Sequence, residues 1–388
     1  MKEINSKVAS IEESIFSQMT SLANQHRAIN LAQGFPNFEG PKFIRNALKE
    51  AVSKKAYGQY APMPGISPLL QELKNHYRES YQLYYDEKSE ITITNGATEA
   101  IMVSSLALLE PGDEVILFEP FYDSYPISAK LAGADIKVVT LREPDFKWNS
   151  QELRAAFSPK TKLVYFNNPN NPTGRVFTKE ELNELLALAR EFDAYILSDE
   201  VYEFLTYDNH HHIPIASLEG AKERTLTISS AGKTYGHTGL KVGWLAASPQ
   251  ITHACRMVHQ FNVFSVNPMA QYAVAVGLQQ NEKYIPQLRS TYEKKRDLLF
   301  NALKETPFTP IKPQGTYFIL AKIPEAKISE GLNDLALCKQ LITQSKVATI
   351  PPSAFYSKSQ EGALFLRFCF AKDDATLEEA AKNLKSFF

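Results

Sequence analysis

A chain of 388 residues, 44% hydrophobic and 22% charged, is long enough for two or three packed units and has the composition of a globular protein. Its 42 basic and 43 acidic residues nearly cancel, which argues against nucleic acid or a membrane surface as a partner. Three scattered cysteines, Cys255, Cys338 and Cys369, offer neither a disulfide framework nor a paired-cysteine metal site and fit a cytoplasmic setting.

From the start, Met1 to Ser6 lack the apolar core of a signal peptide, and no run approaches the ~20 apolar residues that span a bilayer. The spacing of apolar residues then predicts strands over Ile91–Thr94, Glu114–Phe118, Leu163–Phe166, Ala194–Ser198, Thr225–Ser229 and Gly243–Ala247. Helices are predicted over Thr98–Leu109 and Lys179–Glu191, the second opened by a capping box of Thr178 and Glu181. Such alternation implies an α/β unit with a mostly parallel sheet. Beyond about residue 270 a helix over Tyr292–Leu303 is followed by strands over Thr316–Leu320 and Leu364–Phe370. A closing helix near Thr376–Ser386 has Thr376 and Glu379 as its capping box. The division expected is an arm and part of a small unit over 1–45, a large unit over 46–275 and a smaller α+β unit over 276–388.

Ligand sites in open α/β sheets lie at the carboxyl ends of the strands. Asn95-Gly96-Ala97-Thr98 follows the first strand and opens a helix, which makes it a candidate anion site. Asn167 to Gly174 follow the third strand, Asp199 to Tyr202 the fourth, and Ser230 to Gly236 the fifth. Each segment alone has an ordinary explanation as a turn, a helix cap or a solvated lysine. Their repeated placement at strand ends is the signal. Gly232-Lys233-Thr234 is not a nucleotide phosphate loop, because that motif needs a glycine at position 227, where Thr227 stands.

Asn171-Pro172-Thr173-Gly174, Asp199-Glu200-Val201-Tyr202, Ser230 to Tyr235 and Thr238 to Trp244 resemble the fold-type I, class I/II aminotransferases, which use pyridoxal phosphate. The resemblance runs from Asn30 to Phe370 and is nearest to the methionine and kynurenine aminotransferase branch, through Gln59 to Pro62 and His259 to Asn267. It implies a large domain with a seven-stranded, mostly parallel sheet between helices, a smaller α+β domain, and transfer of an amino group from an amino acid to a 2-oxo acid.

The resemblance also implies roles. Lys233 would hold the cofactor as a Schiff base and move the substrate's α-proton. Asp199 would keep the pyridine nitrogen protonated, Asn171 and Tyr202 would bond its phenolic oxygen, and Tyr122 would stack on the ring. The backbone at Ala97 and Thr98, the Ser230 hydroxyl and Lys241 would hold the phosphate. Arg367 would take the substrate carboxylate as a bidentate partner, joined by the Gly34 N–H. Family members are homodimers, so Tyr60 would reach the phosphate of the other subunit and Phe264 would line its substrate pocket.

Lys241 stands where many relatives carry arginine and keeps the charge; Ser265 stands where animal kynurenine enzymes carry histidine, which turns the reading toward methionine, phenylalanine and tyrosine. No metal is expected, and His210-His211-His212 reads as a solvated loop. Two rival functions fit the same scaffold. One is β-elimination from cysteine conjugates; the other is a pyridoxal phosphate-binding effector without turnover, which would need a DNA-binding extension that this length leaves no room for.

Overall fold

In the computed structural model, which describes residues 2–9 and 11–388, a two-residue strand, β1 (Ile29–Asn30), follows the first long helix, Ile15–His26. Seven strands then build the main sheet: β2 (Ile91–Thr94), β3 (Glu114–Glu119), β4 (Asp135–Thr140), β5 (Thr161–Asn167), β6 (Tyr195–Asp199), β7 (Thr225–Ser230) and β8 (Gly243–Ala246). Their order is β2-β8-β7-β6-β5-β3-β4. Every neighbouring pair from β7 to β4 is parallel, while β8 runs antiparallel to both β7 and β2. Two reversals restore direction, so β2 points the same way as β5, β6 and β7.

β6 and β7 are buried almost throughout, as expected of strands covered on both faces by helices. Packing beneath the sheet's two faces is apolar: Leu163, Leu197, Leu226 and Leu245 on one side, Val164, Ile196 and Phe166 on the other. The helix Lys179–Glu191 begins with the predicted capping box of Thr178 and Glu181.

The C-terminal part holds β9 (Thr309–Ile311), β10 (Phe318–Lys322), β11 (Val347–Ala348) and β12 (Phe365–Cys369). β12, β10 and β9 form an antiparallel sheet, and β11 pairs in parallel with β1. One apolar core joins Met19, Ala23 and Leu31 from the N-terminal segment to Leu337, Leu366 and Leu377.

Three expectations need correction. β4 is a strand beyond those predicted: Asp135-Ile136-Lys137-Val138 does alternate polar with apolar, but the run is short and its first three residues lie exposed at the sheet edge. The last helix, Asp374–Phe387, is capped by the Asp373 carboxylate accepting from Thr376 N–H, so the Thr376–Glu379 box is one turn out of register. The histidine run is not solvated throughout: His212 is buried and shares a 2.8 Å hydrogen bond with the buried carboxylate of Glu200. Among the described residues no helix is long and apolar enough to cross a membrane.

Candidate active site

At the carboxyl edge of the main sheet a cavity of about 340 Å³ opens between the sheet and the C-terminal part. β5 delivers Asn167 and then Asn171 to it, β6 delivers Asp199, and β7 delivers Ser230 followed by Lys233 on the short helix Ala231–Tyr235. The loop after β1 brings Gln33, Gly34 and Phe35, and β12 brings Arg367.

One end of the cavity is an anion cradle. The helix Ala97–Leu108 starts there with Gly96 as its N-cap and no side chain capping its first turn. Its free N–H groups at Ala97 and Thr98 therefore face the cavity with the positive end of the helix dipole. A Cβ on Gly243 would lie 2.7 Å from Ala97 N, so only glycine lets β8 support this turn so closely. A Cβ on Gly96 would lie 3.4 Å from Lys241 Nζ, which puts that ammonium over the same turn, and Ser230 completes the cradle. A dianion such as a phosphate ester suits this donor set.

Deeper in, Asp199 is almost fully buried at the end of β6. Tyr125 donates its hydroxyl to Asp199 Oδ2 at 2.7 Å, and Val201 N–H donates to Oδ1 at 3.3 Å. Burial pushes the Asp199 carboxyl up to about 6, against the pull of the Tyr125 hydrogen bond. Such a carboxylate favours a cationic N–H at its free side. Among the described residues Lys233 Nζ has a single hydrogen-bond partner, the Gly34 carbonyl at 3.5 Å, and it lies 5.8 Å from the ring centre of Tyr202. Burial draws its pKa down from 10.5 to about 8, so a neutral, nucleophilic amine is accessible near physiological pH. Tyr122 and Tyr202 also line the cavity, and Tyr122 packs edge-on to Tyr125.

Across from Lys233, Arg367 is only 1% exposed yet has no carboxylate partner among the described residues. Its Nη1 donates to Asn171 Oδ1 at 3.1 Å and its Nη2 to the Ala32 carbonyl at 2.8 Å, while Nε is buried with no partner among the described residues. The guanidinium lies 4.0 Å from the Phe318 ring centre, and Phe16 and Phe355 complete an aromatic surround. Burial lowers its pKa to about 10, and it stays charged. A buried unpaired guanidinium with an open edge is a site for a carboxylate.

The residues present fit pyridoxal phosphate. An anion cradle, a buried carboxylate for a ring nitrogen, an amine for the aldehyde and flanking aromatic rings surround one cavity of suitable size. Every sequence-predicted site residue lines it except Tyr60 and Phe264. Those two pack edge-on to each other at 5.5 Å on the outer surface, 83% and 49% exposed. Tyr125, Phe16 and Phe318 were not anticipated. Tyr125 carried a legible signal, since it follows Tyr122 by three residues where a helix begins; Phe16 carried none.

Over residues 26–384 the chain matches the model of the family described as aminotransferase class I and II. It is 38% identical to the methionine aminotransferase of Escherichia coli K12 over 98% of this chain and 97% of that protein. It is equally 38% identical to a kynurenine–oxoglutarate transaminase of Dictyostelium discoideum, covering 97% and 95%. The solved structure of an E. coli protein with methionine aminotransferase function superposes with a TM-score of 0.93 at 37% identity, over the whole of both chains. That of N-succinyldiaminopimelate aminotransferase from Mycobacterium tuberculosis does so at 0.94 and 35%, again over both whole chains.

Proposed function

This chain belongs to the class I and II aminotransferases, in the methionine and kynurenine branch, and from that premise we propose that it moves the amino group of methionine or an aromatic amino acid to a 2-oxo acid. One observation carries the substrate reading. Among the described residues the cavity contains a single arginine, Arg367; its other cations, Lys233 and Lys241, belong to the aldehyde and phosphate positions, and Phe16, Phe35 and Phe318 give it apolar wall. A donor's α-carboxylate then has its partner, whereas a side-chain carboxylate would find no second arginine. An apolar side chain would gain from the aromatic walls.

Pyridoxal phosphate would supply an aldehyde that joins the amino group and a ring that takes up the electron pair left by the departing α-proton. Ala97, Thr98, Ser230 and Lys241 would hold its phosphate, Asp199 would keep its ring nitrogen protonated, and Asn171 and Tyr202 would bond its phenolic oxygen. Tyr122 would pack against the ring. Arg367 and the Gly34 N–H would fix the substrate carboxylate, and Lys233 lines the same cavity as the base for its α-hydrogen. Lys233 Nζ would serve as the base that takes that proton and as the acid that gives it back on the far side of the substrate nitrogen, two atoms away.

Tyr60 and Phe264 belong to the same reading through a homodimer. Their exposure beside Phe261, which is 86% exposed, supports an aromatic patch that a second copy would cover, with each pair serving the partner's cavity. Three buried, unpaired cysteines support a cytoplasmic location. The N-terminal arm packing on the C-terminal core supports a large unit over 46–275 and a smaller one made from both ends of the chain. A screen of amino donors against several 2-oxo acids tests the proposal. Methionine, phenylalanine and tyrosine should exceed aspartate by a wide margin in kcat/KM; aspartate as the best donor would overturn it.

A further inference from the structure

The loop after β1 is gripped at four consecutive carbonyls by side chains from the C-terminal part. Arg367 Nη2 donates to Ala32 O at 2.8 Å, Lys372 Nζ to Gln33 O at 3.2 Å, Tyr317 Oη to Gly34 O at 2.5 Å, and Lys372 Nζ again to Phe35 O at 2.6 Å. Lys372 is the unusual member. It is 3% exposed, and no carboxylate lies within ion-pairing distance among the described residues. The adjacent Asp373 is engaged elsewhere, with Thr376 N–H and the Asn37 amide. A buried ammonium is ordinarily paired with an acid; this one is directed at main-chain oxygens and the ring of Phe35, 4.9 Å away.

Peptide geometry gives that grip a direction. The Gln33–Gly34 peptide is not among the cis bonds, so the Gln33 oxygen and the Gly34 amide hydrogen lie in one plane and point in opposite directions within it. Holding the oxygen from behind aims the N–H forward. Gly34 lines the cavity beside Arg367, and its N–H has no partner among the described residues. A cation on the carbonyl oxygen also polarises the amide and strengthens its N–H as a donor. The second bond, to Phe35 O, belongs to a peptide whose nitrogen is Pro36 and has no hydrogen to aim, so it anchors the loop.

We propose that Lys372 is a positioning residue for the substrate carboxylate, acting through the Gln33–Gly34 peptide to orient and polarise the Gly34 N–H. This rests on the reading that Arg367 and Gly34 receive that carboxylate. The test uses the cofactor-loaded enzyme and 3-phenylpropionate, a carboxylate with an aromatic end and no amino group, with Kd measured by calorimetry. Lys372→Met should bind it about tenfold more weakly, the loss expected for one oriented hydrogen bond to a charged group. Cofactor content and visible spectrum should match the parent. A purely structural role would instead lower cofactor content and Tm and leave the Kd of the loaded fraction unchanged, and that result overturns the proposal. If Lys372→Met does not load with cofactor, Lys372→Gln, which keeps a donor and drops the charge, decides: weakening of threefold or more supports the role, and parental affinity refutes it. Arg367→Lys separates the two readings. Weak binding there with parental binding in Lys372→Met sinks only the positioning role; parental binding in both removes the carboxylate site beneath it.

Discussion

Replacing Arg367 with lysine keeps a positive charge and removes the planar fork. In the structure the guanidinium uses Nη1 on Asn171 and Nη2 on Ala32 and still has a partnerless Nε, so it can present two parallel N–H groups to a carboxylate without breaking either bond. A lysine ammonium must choose, and it loses part of its packing against Phe318 at 4.0 Å. Loss of one desolvated, charge-assisted contact costs about 2–4 kcal/mol, or roughly 30- to 1,000-fold in kcat/KM. Because every amino acid carries an α-carboxylate, steady-state kinetics with methionine, phenylalanine and alanine should show a similar proportional loss for each donor. A loss confined to one donor, or one below about threefold for all, would refute the assignment of Arg367 to the common carboxylate.

Asp199→Asn should retain the fold and cofactor content yet lower kcat on the order of 10²–10³-fold, since a neutral amide cannot hold a ring nitrogen protonated; near-parental turnover would make Asp199 a structural cap. For Lys233, burial lowers the folded pKa from 10.5 to about 8, so the charged amine is disfavoured and the neutral form grows as pH rises through 8. The rate at which cofactor-free protein captures pyridoxal phosphate, followed in the visible, should therefore rise with a midpoint near pH 8, and a midpoint above 10 would contradict that environment. Mixing inactive Lys233→Ala with an impaired Tyr60→Ala should restore part of the activity in hybrid dimers; no recovery after verified subunit exchange would confine each site to one chain.

Much of the site was readable because the sheet itself organises it. Asn171, Asp199, Ser230 and Lys233 each follow a short apolar run, and the structure brings those strand ends to one edge. β4 was missed although Asp135-Ile136-Lys137-Val138 alternates polar with apolar, because so short a run at an exposed sheet edge is a weak signal. His212 looked solvated since local polarity cannot reveal Glu200, which lies twelve residues earlier and is itself buried by the fold. Phe16 and Lys372 sit near opposite chain ends, and no local pattern connects them to the loop at Gly34. Contacts of that separation are made by packing, and only the three-dimensional arrangement exposes them. The closing cap shows the smaller scale of the same problem. Asp373 and Thr376 are both good cap residues, and the backbone chooses between them.

Lys233 is the residue expected to carry the cofactor in this cavity. Purified protein loaded with pyridoxal phosphate should be yellow, and reduction with borohydride followed by peptide mapping should place one pyridoxyl group per chain on Lys233. Lys233→Ala should take no fixed label and lose nearly all turnover. A protein that stays colourless, or a label that settles on another lysine while Lys233→Ala keeps parental activity, would rule out Lys233 as the cofactor's lysine.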